Sequence, residues 1–558
     1  MFSRLFRSLF RLCVVFSRKV ENPTVPLTPT PSATSLTTMA LAGIIPSTLR
    51  PKPHPHLYEI NTWSWLERMS ADLGRLIQLE DVPDSTWDSI AELGFDIVWL
   101  MGVWRRSPES RRITLEDPGN SAQFDRALPG WKPTDVIASP YAVAAYVPDA
   151  RIGTWDSLDR VRNKLHARGL GLFLDFVGNH TALDHPWVRE HSEYYVQAQP
   201  QDYESNPSFY YPVQTPQGPR FIALAKDPYY PPWKDVAQLN HFHPAGRAAQ
   251  LTELRTIASH CDGVRCDMAM LLLNNIFQNG WRQLLGDTPP PQEEFWTEAK
   301  SAAPNLTLLT EAYWGTEQRL FNLGFDFAYD KSLYDAVRDA NPQQVRDHLN
   351  AVHPYQNNFA RFLENHDEPR RPEVFPNDRL VADATLMGTL PGMRFYYQGE
   401  LEGRRIRLPI TLRLAADEPV DPFASALFQK ILEITKQEVF HQGEWNPLEV
   451  LPEGDNSSGN LLVYEWRQQN NPQTNSQNNG QNKWKVIAVN LSGNPAQGRV
   501  RWPPNTFVSP HYTLYDELNE VTYQRGGAEL TNPGLFVRLN PFQAHLFDLT
   551  AAAAAPQT

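Results

Sequence analysis

Residues 170–180 read LGLFLDFVGNH, an apolar run that ends in an acid, an amide and an imidazole. Its first eight residues are rich in strand-forming types, and their number suits a strand that is buried on both faces. Asp175 lies near the end of this run. Taken singly such an acid proves little, because acids at strand ends also cap helices or lie in surface loops.

Similar apolar runs alternate with helical patterns from about Tyr58 onward, which is typical of βα units around a parallel sheet. Eight parallel strands close into a (β/α)8 barrel, or TIM barrel, whose active site lies at the carboxyl ends of the strands. We therefore predict the α/β class, with a catalytic barrel over residues 51–440. The eight predicted strands are residues 57–65, 96–101, 170–177, 263–268, 307–313, 325–329, 361–367 and 393–398.

Two further regions complete the predicted organisation. The long aromatic stretch over residues 181–240, between the third and fourth runs, is predicted to be an inserted subdomain that walls the cleft. Beyond about Phe440, strands follow one another without helices, which predicts a C-terminal antiparallel β-sandwich over residues 441–550 and a tail over 551–558. Residues 468–481 are almost all Gln, Asn and Pro, which predicts a disordered loop. The predicted sandwich strands are residues 461–466, 484–490, 512–515, 535–539 and 545–549.

The composition excludes some classes of protein. Of the 558 residues, 41% are hydrophobic and 20% charged, and no apolar run reaches the roughly 18 residues that span a bilayer. The formal net charge is -12 and no basic stripe runs through the folded region, so nucleic acid is not an expected partner. The three cysteines form no C-x-x-C pair, and they favour a reducing, cytoplasmic location.

Residues 1–50 are predicted to be a disordered extension and linker. Residues 1–20 contain no acid and place arginines on one face of a helix and apolar side chains on the other. One interpretation is a segment that contacts a membrane surface or directs export. The other, which we prefer, is a dispensable extension, since Met39 offers a second start just before the folded region.

Four predicted barrel strands carry acids at or near their carboxyl ends: Asp175, Asp267, Glu311 and Asp367. Glycoside hydrolysis requires two carboxyl groups, and retention of configuration places them about 5 to 5.5 Å apart so that one can attack the anomeric carbon. Strand ends that face each other across a barrel can meet this distance. The sequence therefore predicts a carboxylate site.

The neighbouring residues suggest which acid does what. Arg265 lies two residues before Asp267, on the same face of its strand, where its charge would keep Asp267 ionised as a nucleophile. Glu311 follows an apolar strand, where desolvation would raise its pKa and keep it protonated as a general acid. The alternative for Arg265 and Asp267 is a structural ion pair that closes the barrel.

Together these segments resemble the conserved blocks of the alpha-amylase family of glycoside hydrolases. In chain order, residues 175–180 match D-x-V-x-N-H, residues 263–267 match G-x-R-x-D, Glu311 follows a strand, and residues 365–367 match N-H-D. The resemblance extends over nearly the whole chain from about Tyr58. It implies that Asp367 binds sugar hydroxyls and distorts the ring. The substrate-binding residues that it implies are Tyr141, Asp175, His180, Arg265 and His366.

The sequence departs from the family pattern at several positions. Met270 and Leu271 stand where many members carry Lys-His on the leaving-group side, so recognition of the acceptor is expected to be unusual. Gln238 stands where many amylases supply a calcium-binding Asp, and calcium prefers charged oxygens. Asn179 and Asp184 are the remaining candidate ligands. We expect no required cofactor and no tight calcium site, although backbone carbonyls could contribute to one.

Aromatic residues are frequent in the loop-like insertion, as in the Tyr229-Tyr230 pair. Apolar sugar faces stack on such rings, but rings can equally pack the insertion's own small core. Our leading hypothesis is hydrolysis of alpha-glucosidic, most notably alpha-1,4, bonds in an oligo- or polysaccharide. The alternatives are a transglycosylase or isomerase that uses the same covalent intermediate and, from another class, a non-catalytic sugar-binding protein.

Overall fold

The computed structural model describes residues 49–351, 353–469 and 483–552. The predicted amphipathic helix over residues 1–20 and most of the 1–50 linker lie outside these residues. So do most of the predicted loop over 468–481 and residues 553–558 of the predicted tail. In the part of the chain that is described, no helix is long and apolar enough to cross a membrane.

Eight parallel strands form a closed barrel, as predicted. Each strand pairs with its neighbours in chain order, and the first strand also pairs with the eighth. The second, third, fourth and fifth strands are buried along their whole length, which explains their continuous apolar runs. The strands are β1 His56–Asn61, β2 Ile97–Met101, β3 Gly171–Phe176, β4 Gly263–Cys266, β5 Thr307–Thr310, β6 Phe327–Tyr329, β7 Phe359–Arg361 and β8 Met393–Tyr397.

The two largest errors in the predicted strand boundaries have local reasons. The first predicted run extended to Trp65, but β1 stops at Asn61, whose side chain accepts a hydrogen bond from the Ser64 backbone at 3.4 Å and begins a helix. The seventh run was predicted over 361–367, but β7 ends at Arg361. There the Asn365 side chain accepts hydrogen bonds from the backbone N–H groups of the two residues after His366, which makes a turn in place of a strand.

The helices begin where side chains cap their first turns. Before the helix Trp155–His166, Thr154 and Ser157 bond each other's backbone N–H groups at 3.2 and 3.1 Å, a capping box. The α-helices of the barrel region are Thr62–Leu73, Asp84–Glu92, Pro108–Glu116, Ser121–Ala127, Trp155–His166, Pro244–His260, Asn274–Leu285, Phe295–Ala302, Glu317–Asn322, Lys331–Arg338, Pro342–Ala351, Arg371–Val374, Leu380–Thr389, Pro422–Thr435 and Val439–Gln442.

The insertion after β3 has its own small core. Strands Tyr210–Thr215 and Gly218–Ala223 form an antiparallel hairpin, and Gln197–Ala198 pairs with the second of these. Val236–Gln238 pairs with His180–Ala182 and returns the chain to the barrel. The short helices Pro186–Glu190 and Pro200–Ser205 complete the unit. Its buried apolar residues are Leu183, Val188, Tyr195, Val213, Ile222, Leu224, Ala237 and Leu239.

The C-terminal region forms two antiparallel sheets that share a hydrophobic core, as predicted for a sandwich. A short helix, Gly527–Thr531, lies between two of its strands, where the sequence predicted strands alone. The larger sheet contains, in spatial order, Glu444–Pro447, Leu461–Gln468, Lys483–Asn490, Ala544–Ala551, His511–Asp516 and Val521–Gly526. The smaller sheet contains Glu449–Leu451, Ala496–Arg501 and Leu535–Leu539.

Candidate active site

The three predicted catalytic acids lie together at the carboxyl ends of the barrel strands. Asp267 directly follows β4, and Glu311 directly follows β5. Asp367 lies beyond β7, on the turn that Asn365 holds. Asp267 and Glu311 are 6% and 5% exposed, whereas 41% of the Asp367 side chain is open to solvent. The site is therefore a pair of nearly buried acids with a third acid at the mouth of the cleft.

Arg265 joins these acids. Its Nη1 donates to Asp267 Oδ1 at 2.6 Å, and its Nη2 donates to Glu311 Oε2 at 2.7 Å. Its Nη2 also lies 3.7 Å from Asp367 Oδ2. The guanidinium is fully buried, so these charged contacts are weakly screened by solvent. The resemblance implies that Arg265 binds the sugar, but in the structure its guanidinium is fully buried and bonded to two of the acids.

Aromatic rings surround this guanidinium. The Arg265 Cζ lies 5.0 Å from the ring centre of Tyr141, 5.6 Å from that of Tyr329 and 5.7 Å from that of Trp99. Ring faces attract cations, and the attraction is stronger where water is excluded. The rings therefore hold the guanidinium in place between the carboxylates.

Burial raises the pKa of both Asp267 and Glu311 above their ordinary values, although the charge of Arg265 acts in the opposite direction on each. For Glu311 this agrees with the sequence-based prediction. For Asp267 the predicted contact with Arg265 exists and lowers the pKa, but burial raises the pKa by more. Because Arg265 touches both acids, its charge cannot by itself make one a nucleophile and the other an acid.

Hydrogen bonds distinguish the two acids instead. Glu311 Oε2 accepts from Arg265 and from the Met268 backbone N–H at 2.9 Å, while Oε1 accepts from the Tyr313 hydroxyl at 2.7 Å. Unlike the two N–H donors at Oε2, the hydroxyl can turn and accept, so Oε1 is the oxygen that can carry a proton. Asp267 accepts from Arg265 through Oδ1 only, and no described residue donates to its Oδ2. That oxygen keeps its lone pairs free.

His366 connects the third acid to the barrel floor. Its Nε2 lies 3.0 Å from Asp367 Oδ2 and 2.8 Å from the Tyr141 hydroxyl, and its Nδ1 lies 2.5 Å from Glu59 Oε1. Burial alone would lower the pKa of His366, but the Asp367 and Glu59 carboxylates raise it to about 10. In turn, although packing opposes ionisation of Asp367, His366 lowers its pKa below the ordinary range. Asp367 is thus held as an anion.

The other predicted substrate-binding residues differ in how deeply they are buried. Tyr141 is 9% exposed and stacks on His366, with ring centres 5.2 Å apart. His180 is 4% exposed, and burial lowers its pKa to about 4, so it is neutral at pH 7. Asp175 lies deeper: it accepts from Trp99 Nε1 at 3.2 Å and from the Gly102 N–H at 2.6 Å. With both oxygens engaged and 1% exposure, Asp175 does not face the sugar as predicted.

The sequence reasoning missed two residues of this site. Glu59, the partner of His366, is a fully buried acid in strand β1. An acid in a predicted buried strand is unusual, and this could have marked Glu59 as a functional residue. Tyr313, which bonds Glu311, offered no signal beyond its place two residues further along the chain. The left-handed φ of Met268, +43°, aims its N–H at Glu311 and could not have been expected from sequence.

Two exposed aromatic rings contact each other, and one of them stands three residues after Glu311. Trp314, three residues after Glu311, is 41% exposed and has a left-handed φ of +63°. Tyr229, from the insertion, is 69% exposed and meets Trp314 edge to face with ring centres 5.2 Å apart. Asp227 Oδ1 accepts from the backbone N–H groups of Tyr229 and Tyr230 at 2.6 and 3.0 Å, which holds this loop. We call Tyr229 and Trp314 the aromatic shelf.

The residues predicted as candidate calcium ligands lie in two separate places in the structure. Asn179 and Gln238 are fully buried and bond each other through their side-chain amides. Asp184, the other candidate, instead accepts from the Glu109 backbone N–H at 3.1 Å.

Within the described residues, the one cluster of His, Cys, Asp and Glu close enough to hold a metal is His56, Asp96 and His441. It lies at the amino ends of the strands, and Lys52 already pairs with Asp96 at 2.8 Å.

Comparison with known proteins supplies a family context. The sequence model of the family described as "Alpha amylase, catalytic domain" matches residues 85–406. The chain is 26% identical over 351 residues to Alpha-amylase MalA of Haloarcula japonica, across 61% of this chain and 44% of that protein. It is 23% identical over 374 residues to Probable oligo-1,6-glucosidase 2 of Bacillus subtilis, across 57% of this chain and 60% of that protein.

The chain thus spans less than two thirds of the length of these two relatives. Among solved structures, it is similar in fold to a noncanonic maltogenic alpha-amylase, AmyB, of Thermotoga neapolitana, with a TM-score of 0.62 and 16% identity. That similarity covers 90% of this chain and 99% of the other, so it includes both the barrel and the C-terminal sandwich.

Proposed function

Because the chain belongs to the alpha-amylase family, we propose that it is a retaining glycoside hydrolase that cleaves alpha-glucosidic bonds, chiefly alpha-1,4, in glucans or maltooligosaccharides. The observation that carries this proposal is the bridge from one guanidinium to two acids, 2.6 and 2.7 Å long. Acids that share one guanidinium lie close together. This favours the spacing of about 5 to 5.5 Å used for retention over the roughly 6.5 to 9.5 Å that leaves room for a water between them.

In the first step, Asp267 Oδ2 attacks the anomeric carbon as the bond to the leaving oxygen breaks, and Glu311 Oε1 gives its proton to that oxygen. In the second step, water loses a proton to Glu311 and attacks the same carbon, which releases Asp267. The anionic Asp367 interacts with the sugar hydroxyls at the mouth of the site. Both configuration changes occur at one carbon, so the product keeps the alpha configuration.

The mechanism can be tested by following the anomer released from maltoheptaose by proton NMR and by trapping the intermediate. A fluorinated alpha-glucosyl fluoride that forms the glycosyl-enzyme but hydrolyses it slowly should add one glycosyl unit to the peptide that contains Asp267. The Asp267→Asn variant should not be labelled. Initial release of the beta anomer, or labelling of a different residue, would refute the proposal.

The aromatic shelf supports a second candidate, transfer of the intermediate to another sugar in place of water. Trp314 stands three residues after Glu311, the acid proposed to serve the leaving group, and on that ground we place the acceptor sugar against this shelf. Its exposed rings suit stacking against the apolar face of a glucosyl unit. The conventional Lys-His positions contribute nothing there, because Met270 and Leu271 are buried.

We expect Trp314→Ala to raise KM for maltoheptaose by roughly 2- to 10-fold, the loss of one aromatic contact, and to reduce products longer than the substrate. Hydrolysis of alpha-maltosyl fluoride, whose leaving group is too small to reach the shelf, should change little. Phe423→Ala, which removes a 58% exposed ring at the start of the helix Pro422–Thr435, is the matched control. If Trp314→Ala leaves both KM and the product pattern unchanged, the shelf does not bind acceptors.

A further inference from the structure

Gln238 connects the inserted subdomain to the barrel. It ends the strand Val236–Gln238, which pairs with His180 just beyond β3, and its backbone carbonyl accepts from Val196 within the insertion at 3.0 Å. The side chain is fully buried. The position where many related amylases supply a calcium-binding Asp is therefore a structural junction in this chain.

Oxygen atoms converge on the amide nitrogen of this side chain. Gln238 Nε2 lies 3.0 Å from the Asn179 backbone oxygen, 3.0 Å from Asn179 Oδ1 and 3.1 Å from the Leu239 backbone oxygen. Three oxygens around one point form the kind of cradle that a hard cation uses, but Ca²⁺ would require them at about 2.3 to 2.6 Å and in greater number. Here the two hydrogens of the –NH2 group are shared among the three oxygens.

The charges around the cradle also disfavour a cation. The side-chain partners of Asn179 and Gln238 include no carboxylate: they are each other, His180 and His241. A nearby backbone oxygen, that of His241, already accepts from the buried Arg247 guanidinium at 3.2 Å. Glu298 already pairs with this arginine at 2.8 Å, so a cation at the cradle would find no carboxylate among the side-chain partners of Asn179 and Gln238.

We propose that the side-chain amide of Gln238 takes the place of a bound divalent cation, so that the insertion is fixed to the barrel without calcium. The neutral amide donates to the same oxygens and, unlike a bound ion, cannot dissociate from the chain. It lacks the strong attraction that a calcium ion exerts on its many charged ligands. The stability of this junction should then be independent of calcium concentration. This inference concerns the scaffold and stands apart from the proposed reaction.

The first experiment measures the thermal unfolding midpoint of the wild-type chain in EDTA and in millimolar CaCl2, together with Tb³⁺ luminescence as a direct probe of a calcium-type site. We expect the same Tm in both solutions and no saturable Tb³⁺ signal that Ca²⁺ displaces. A Tm that falls in EDTA and recovers with CaCl2, or a displaceable Tb³⁺ signal, would overturn the proposal.

Two variants test the position itself. Gln238→Glu keeps the shape but turns a carboxylate toward the three oxygens, so its Tm should fall in EDTA and recover with CaCl2, with a gain of Tb³⁺ binding. Gln238→Met removes the donor without adding charge, so its Tm should fall equally in both solutions. If Gln238→Glu responds to calcium no more than Gln238→Met does, the amide nitrogen does not mark a cation position. The wild-type measurement decides the calcium question even if a variant fails to fold.

Discussion

Asp267→Asn should lower kcat on maltooligosaccharides by on the order of 10⁴- to 10⁶-fold, the range for loss of a catalytic nucleophile. The amide cannot form the glycosyl-enzyme, yet its oxygen can still accept from Arg265, whose Nη1 lies 2.6 Å from Asp267 Oδ1 in the wild type. The fold should therefore survive, which a thermal melt can check. Asp88→Asn, which changes an exposed acid paired with Arg168, is the matched control and should retain activity.

The same experiment separates the two acids if the leaving group is varied. Glu311→Gln should lose roughly 10²- to 10⁴-fold on maltooligosaccharides, whose leaving oxygen needs a proton. It should lose much less on alpha-maltosyl fluoride, because fluoride leaves without protonation by a strong acid. Asp267→Asn should be equally inactive on both substrates. If the fluoride rescued Asp267→Asn and not Glu311→Gln, the roles of nucleophile and general acid would have to be exchanged.

Of the variants discussed, Arg265→Met should lose the most free energy of unfolding. Removing one partner from a buried charged group costs about 3 to 5 kcal/mol, and here Asp267 and Glu311 would lose the cation that they share. The pKa of Asp267 is already raised by burial, and Arg265 opposes that rise, so its removal should raise this pKa further. Since the nucleophile must be ionised, the acidic limb of the kcat/KM profile should move to higher pH.

Arg361→Met is the control for that interpretation. Arg361 is also fully buried in the barrel and pairs with Asp330 at 3.3 Å, but it contacts none of the three acids. It should reduce the free energy of unfolding without moving the acidic limb. Urea denaturation measures the first quantity and the pH dependence of kcat/KM the second. An unshifted acidic limb in Arg265→Met would show that the guanidinium does not tune Asp267.

The placement of the acids illustrates what strand periodicity can and cannot predict. Asp267 and Glu311 directly follow buried strands, and parallel strands in a barrel bring such positions to one rim, so their proximity was predictable. The same rule misplaced Asp175, which lies at the end of β3 but turns both oxygens toward Trp99 and Gly102. Periodicity gives the face of a strand but not the depth of a side chain below the cleft.

Contacts between residues far apart in sequence could not be predicted, because they depend on how the strands are arranged in the barrel. Glu59 lies on β1 and His366 beyond β7, 307 residues apart, and only closure of the barrel brings them to 2.5 Å. Likewise, Arg265 was predicted as the partner of Asp267 because the two are near in sequence. Its equal contact with Glu311 depends on the register that places Arg265 beside Leu309 of the next strand.

The sequence by itself determined the barrel and the sandwich and predicted three acids for one rim, because apolar runs and strand-end residues are local features with a regular period. Only the tertiary structure decided how these acids are surrounded and bonded. The burial of Asp267, the hydrogen bonds of Glu311 and the lowered pKa of Asp367 all depend on residues from elsewhere in the chain. Electrostatic energies depend on distance and on exclusion of water, and both are properties of the folded chain.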